Sequence, residues 1–302
     1  MAKKSKKIRE SFGDRVLETI TTVILILILF IIGYPLIYVV SCSFSSSEAL
    51  SNARVLLWPV DLSLKGYDFV FQYEVVWTGY RNTIFYTITG TLLTITMQIL
   101  MAYPLSKRDY QGKKLVLRLM LIVMMFGAGM IPTFILKMSL GMVGTIWAII
   151  LNGLVTVSYV FMLRNSFMHS IPGELFDAAK IDGANDFQCL FKLAIPLGKA
   201  TISVLILYAA VGFWNEYFNA MIYLSGQQDL WPLQMFLRNI MTSAAELDPG
   251  QMSAAEQQAM KDSGIEQIRY CLIVISTVPV LAMYAVVQKY FQKGVMVGSV
   301  KG

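Results

Sequence analysis

Two sets of side chains in this sequence have the types and spacing to do chemistry, and in both the chemistry is recognition, not bond making. The first is small and acidic. Glu174, Asp177 and Asp182 alternate with Ala178, Ala179, Gly183 and Ala184 on a polar island between two apolar runs, a surface that a cationic groove on another protein could accept. The second set lies inside the apolar runs. Thr83, Thr87, Thr91, Thr94 and Gln98 are spaced four, four, three and four, which is one face of a helix. Asn152, Thr156 and Tyr159 form another stripe, and Tyr208, Gly212, Asn215 and Asn219 a third, beside Trp214, Glu216 and Tyr217. Polar groups inside apolar runs turn towards protein or water, so such stripes can line a path for a polar solute. The same stripes also suit helix packing, with hydroxyls bonded to backbone carbonyls, and spacing alone leaves both readings open.

The residue inventory argues against an enzyme. No GxxxxGK[ST] occurs: the Gly-Lys pairs at Gly112 and Gly198 lack both the upstream glycine and the following Ser or Thr. The one histidine, His169, is expected to be solvated, and a single histidine excludes HExxH and a histidine triad. Cys42, Cys189 and Cys271 have neither a disulfide-framework nor a metal-site spacing. Met120, Met124, Met125 and Met130 have no other soft ligands with them and read as adaptable packing. No catalytic, metal or cofactor-binding residue is expected in this chain.

The elements that must position these groups follow from hydropathy. At 56% hydrophobic and 15% charged residues, the 302-residue chain is too apolar for an ordinary soluble domain. Its apolar residues fall in runs of bilayer-crossing length. The expectation is an all-α membrane protein with six transmembrane helices: Ile20–Val40, Thr83–Tyr103, Leu115–Leu136, Val143–Leu163, Thr201–Leu224 and Tyr270–Tyr290. A 20–290 membrane domain then lies between a basic 1–19 segment and a 291–302 tail. The first apolar run is too long for a signal peptide and lacks a small-residue cleavage site, so it is expected to be a retained anchor. Connections on one side, which include both termini and 164–200, carry 18 of the 25 Lys and Arg residues. By the positive-inside rule that side is cytoplasmic. The basic N-terminus thus reads as a topology signal that also meets anionic lipid, not as a nucleic-acid site.

Local breaks are expected as well. Pro132 follows Gly127-Ala128-Gly129 and should kink the outer end of the third run by biasing Ile131 away from helix. Trp58 and Trp77 are expected at the membrane interface. Glu216 is the only carboxylate inside an expected span, near its outer end. In the island, Pro172 suits a first-turn position and Glu174 and Asp177 favour the positive end of a helix. Gly183 breaks that helix and Asn185 can cap a second one through Phe187, Leu190 and Phe191. Pro196 closes the segment. Ile171–Pro196 should therefore be a compact knob with an Asp-Gly-Ala corner.

That knob resembles the EAA loop of ABC-importer permeases. The family pattern is Glu-Ala-Ala, three residues, Gly, nine residues, then Ile-x-Leu-Pro. This chain has Asp177-Ala178-Ala179, three residues, Gly183, nine residues, then Leu193-Ala194-Ile195-Pro196. The departures are Asp at 177, one methylene shorter, and exchanged aliphatics before the proline. FWNEYFNA, ending at Ala220, and the terminal KYFQKGVMVGSVKG resemble the fifth span and tail of carbohydrate-type permeases, close to the smaller permease subunit of maltose-type systems.

The resemblance runs from about Asn82 to the end and implies a type I ABC importer permease fold in the plasma membrane of a prokaryote. It also implies partners: a second homologous permease, two ATPase subunits that bind ATP and Mg, and an extracytoplasmic solute-binding protein. Glu174, Asp177, Ala178, Ala179, Asp182, Gly183 and Ala184 would couple to the ATPase. Thr87, Thr91, Gln98, Asn152, Tyr208, Asn215, Glu216 and Asn219 are candidates for the path. The loop 225–269, with Trp231, Phe236 and Asn239, would reach the binding protein. A permease for a non-sugar solute and an ion-coupled secondary transporter are the alternatives. The second predicts buried acids or an inverted repeat, and the chain offers only Glu216.

Overall fold

The computed structural model describes residues 12–242 and 264–299. The basic residues before Phe12, the polar stretch 243–263 of the long loop and the last three residues of the tail lie outside them. The described chain is helical, with one isolated antiparallel bridge between Ser45 and Leu62. In order, the helices are α1 (Phe12–Ser43), α2 (Ser47–Ser51), α3 (Lys65–Gln72), α4 (Glu74–Ser106), α5 (Lys113–Met125), α6 (Met130–Ser139), α7 (Trp147–Ile150), α8 (Val157–Ser170), α9 (Gly173–Ile181) and α10 (Asp186–Cys189). A π-helical turn at Leu190–Ala194 leads to α11 (Ile195–Leu197), followed by α12 (Lys199–Trp214), α13 (Phe218–Tyr223), α14 (Leu233–Thr242) and α15 (Ile265–Ser299).

Among the described residues, three helices are long and apolar enough to cross a membrane: α1, α4 and Ile265–Ala285 of α15. Two bent pairs raise the number to five when each counts as one span: α5 with α6, bent by 114°, and Asp186–Leu197 with α12, bent by 81°. Almost all of α1 is exposed up to Tyr38, its end at Ser41, Cys42 and Ser43 being buried. The length and apolar composition of α1 match the hydrocarbon core of a bilayer.

Several expected boundaries are corrected. Val143–Leu163 is not one helix, because Gly144 and Gly153 take φ of 78° and 68°, which an α-helix cannot contain. Only Trp147–Ile150 and the turns from Val157 onward are helical there. The third run breaks at Phe126–Gly129, upstream of the proline, with Gly129 at φ 77°. Pro132 sits in the first turn of α6, where its missing donor has no partner to lose, and Ile131 is helical. The fifth run stops at Trp214, and Leu224 ends a separate short helix.

The chain divides into two compact units. In the first, residues up to Gln72 join the start of α15. Gln267, fully buried, donates to the Ser63 carbonyl at 2.7 Å, and Tyr67 donates to Ser43 Oγ at 2.8 Å. The second unit runs from Tyr73 to Leu247 and from Ile275 onward. Here α4 is central. Its knob end packs Ile95, Ala102, Tyr103 and Leu105 with Phe167 of α8 and Ile202 and Leu205 of α12. Its other end holds the 229–233 turn through side chains: Asn82 donates to the Asp229 carbonyl at 2.7 Å, Tyr86 to the Leu230 carbonyl at 2.8 Å, and Thr83 accepts from the Leu233 amide at 2.8 Å. Gly90 lets Phe213 of α12 approach, since a Cβ there would lie 2.4 Å from Phe213 Cζ.

Candidate functional site

The knob has the expected corner. Helix α9 ends at Ile181, Gly183 turns the chain at φ 77°, and Asn185 caps α10. The cap is a full box: Asn185 Oδ1 accepts from the Gln188 amide at 2.8 Å and Gln188 Oε1 accepts from the Asn185 amide at 2.9 Å. Pro172 stands one position outside α9, at its N-cap, and not in its first turn. The 81° bend into α12 falls at Gly198, where a Cβ would meet Phe167 Cε1 at 2.5 Å.

The knob has two faces. Glu174, Asp177, Ala178, Asp182 and Gly183 are exposed, whereas Ala179 and Ala184 are half-buried against the core beneath. Ile181, 86% exposed, tips the corner, with Phe187 at 67% on the flank. Sequence reasoning did not single out Ile181. Its signal was an aliphatic residue immediately before Asp-Gly, where no apolar face continues.

Charged side chains fasten the knob to the end of α4, and these pairs were also missed. Lys107 pairs with Asp186 of α10, and Lys180 of α9 pairs with Asp109 at 3.2 Å. The Lys107 ammonium lies 4.6 Å from the Tyr103 ring centroid and 5.8 Å from that of Phe176. Burial pushes its pKa down, but the hydrogen bond to Asp186 and the neighbouring Tyr103 side chain prevail and hold it above the ordinary lysine range. The hydrogen bond from Lys180 holds the Asp109 carboxyl below its usual range. A cleft of about 400 Å³ opens between this charged segment and α9, with Phe176 and Asp177 on its wall.

The expected path residues are placed differently from one another. Thr83 is occupied by the 229–233 turn, as described. Thr87, Thr94 and Gln98 are buried, at 7%, 4% and 0% exposure. Among the described residues, their polar side-chain atoms and the Thr91 hydroxyl have no hydrogen-bond partner. On the exposed side of α4, Thr89 and Thr96 instead donate to carbonyls four residues back. Tyr159 and Tyr208 meet with ring centroids 6.0 Å apart, so the second and third stripes touch at that point. Glu216 lies in the break between α12 and α13, outside both helices. It accepts from the backbone and side-chain amides of Asn219 at 2.9 Å each, tying down the first turn of α13. Asn215 caps α12 and lies 3.5 Å from Gln234.

Asn152 is held by a residue that sequence reasoning had counted as a connecting-loop charge. Lys137, 7% exposed, donates to the Ala148 carbonyl at 2.9 Å and to Asn152 Oδ1 at 2.8 Å, with its ammonium 4.0 Å from the Tyr223 ring centroid. Trp231 and Phe236, carried by the loop expected to reach a binding protein, are buried with Tyr86 and Ile149. The Trp231 indole donates to the Leu224 carbonyl at 2.7 Å, and its burial follows from α4 gripping the turn that carries it.

Comparison with known proteins matches residues 99–297 to the family described as binding-protein-dependent transport system inner membrane component. The polygalacturonan/rhamnogalacturonan transport system permease protein YtcP of Bacillus subtilis is 36% identical over 89% of this chain and 92% of its own length. The arabinooligosaccharides transport system permease protein AraQ of Halalkalibacterium halodurans is 27% identical over 95% of this chain and 98% of its own. Among solved structures, a chain of a bacterial ABC transporter involved in the import of the acidic polysaccharide alginate superposes with a TM-score of 0.85 at 33% identity. That alignment covers 94% of this chain and 100% of the other.

Proposed function

Because this chain belongs to the binding-protein-dependent transport system inner membrane components, we propose that it is one permease subunit of an ATP-driven importer whose solute is an oligosaccharide. The sugar class is supported by relatives that handle polygalacturonan, arabinooligosaccharides and alginate. In this reading the chain crosses the plasma membrane six times, in the type I importer arrangement. Both termini and the knob lie on the cytoplasmic side, where the excess of Lys and Arg is found. It pairs with a second permease and two ATPase subunits, which hold ATP and Mg, and receives its solute from an extracytoplasmic binding protein.

The knob carries the coupling role. Its outer face exposes Ile181 between Asp177 and Asp182 over a corner of small residues. An exposed aliphatic ringed by acids and backed by a capped, buried scaffold is a preformed docking surface. Closure of the ATPase dimer would draw the knobs together and tilt the spans, so that the polar stripes face alternately outward and inward. This subunit forms no covalent bond to the solute. The Tyr159–Tyr208 contact, Asn215 and the Glu216–Asn219 pair supply the aromatic and polar partners that a sugar needs, and the α4 stripe supplies further hydroxyls and an amide.

The test is reconstitution in vesicles with the second permease, ATPase and binding protein of the same host. Galacturonide or arabinan oligosaccharides should enter only when ATP and every subunit are present. Uptake by this chain alone under an ion gradient would overturn the importer reading. Uptake with this chain as the sole permease would overturn its heteromeric part.

A further inference from the structure

We propose that Lys107 and Asp109 are positioning residues, a charged strap that makes the knob and the end of α4 move as one body. The proposal rests on the coupling reading for the source of the motion, but the strap itself is a matter of geometry. Lys107 holds α10 through Asp186, and Asp109, two residues on, holds α9 through Lys180 at 3.2 Å. One short segment thus grips both arms of the knob, on either side of the Gly183 corner. The polarity of the two pairs is opposite. A slip of the strap by two residues would set Lys107 against Lys180 in one direction or Asp109 against Asp186 in the other, so only one register is attractive.

The strap is itself anchored. Arg164 of α8 donates to the Leu105 carbonyl at 2.9 Å, filling an acceptor that the end of α4 leaves open, and Lys113 donates to the Lys107 carbonyl at 2.9 Å. Lys107 also lies between the rings of Tyr103 on α4 and Phe176 on α9, so apolar contact supports the charge pair. Along the chain, the knob is joined only to α8 and α12. Through the strap it is also joined to α4, the helix that carries Thr87, Thr91, Thr94 and Gln98. A displacement of the knob therefore reaches that stripe directly.

The experiment combines charge exchange with a cross-link in the assembled importer. Lys107→Asp should lower the solute moved per ATP hydrolysed by about tenfold, the size of an ordinary coupling between sites, while the complex still assembles with its ATPase. Adding Asp186→Lys should restore the ratio. Asp109→Cys with Lys180→Cys, joined by a short bifunctional thiol reagent in a chain whose Cys42, Cys189 and Cys271 are replaced by alanine, should keep transporting, because strap and knob do not slide past each other. An unchanged ratio in Lys107→Asp, a failed rescue by the exchanged pair, or transport stopped by the cross-link would each overturn the proposal. Copurification of the unaltered chain with the ATPase reports separately on the coupling reading. Hydrogen exchange of residues 173–189 in the chain alone reports on the strap without the ATPase. It should speed up in Lys107→Asp and slow again in the exchanged pair, and the absence of both changes would defeat the strap whatever the ATPase does.

Discussion

The knob and the α4 stripe are both polar, yet they treat their polar groups in opposite ways. At the knob, Lys107, Lys180, Arg164 and Asn185 all have partners on another element or in a cap. Along the stripe, the hydroxyls of Thr87, Thr91 and Thr94 and both ends of the Gln98 amide have none among the described residues. A buried polar group without a partner costs about 1–3 kcal/mol, so the stripe is kept against stability whereas the knob's bonds serve it. A region that must hold one shape in water is self-satisfied. Open valences within this chain are what the proposed path for a polar solute requires of the stripe.

Changes at the two regions should therefore differ in sign as well as size. The largest effect is expected at the knob's outer face. Asp177→Arg should weaken ATPase docking by roughly 2–5 kcal/mol, because a like charge then meets the groove, and uptake should vanish with it while the folded chain persists. Copurification with the ATPase measures this, and normal copurification with normal uptake would remove Asp177 from the interface. Next in size is Gly90→Val, which places a Cβ 2.4 Å from Phe213 Cζ. Overpacking of that kind costs about 1–3 kcal/mol, read as a lower unfolding temperature of the solubilised chain. Gln98→Leu should do the opposite, raising stability by about 1–2 kcal/mol while reducing uptake per assembled complex. If it lowers stability instead, the amide is paired in the working protein and the contrast between the regions fails.

What could be read from the sequence followed the range of the interactions. The knob was legible because Gly183, Asn185 and Gln188 act within a few residues of one another, through a positive φ and a capping box. The long apolar runs of α1, α4 and α15 were legible from length alone. A break in the third run was legible from Gly127-Ala128-Gly129 and Pro132, though it falls at 126–129 and not at the proline; the breaks at 151–156 and 215–217 were not, since they lie inside apolar runs whose turns depend on packing remote in sequence. Lys137 read as a loop charge because its neutralising contacts, Asn152 and the Tyr223 ring, are remote in sequence. The strap was invisible for the same reason: its pairs span 79 and 71 residues. Ala179 and Ala184 matched a docking motif by spacing, yet they face the core, which spacing cannot distinguish.

The smallest expected effect is one of pH, and it separates the two regions most cleanly. The Asp109 carboxyl is held below its ordinary value of 3.8 by Lys180. A depressed carboxylate contributes stability above its unfolded pKa and loses it as pH falls through the folded one. The Lys107 ammonium is held above its ordinary 10.5, so its contribution is complete below that value and fades only as pH rises through the folded pKa. The strap should hold across the whole range between these limits. Below pH 3.8 the grip on α9 should loosen, and above pH 10.5 the grip on α10. The stripe contains hydroxyls and an amide, none of which titrates in that range. Hydrogen exchange, corrected for its intrinsic pH dependence, should therefore accelerate in 173–181 at the acid limit while 87–98 stays constant. Equal acceleration in both would mean that the acid limit unfolds the chain globally. No acceleration in either would mean that the Asp109–Lys180 pair does not hold α9.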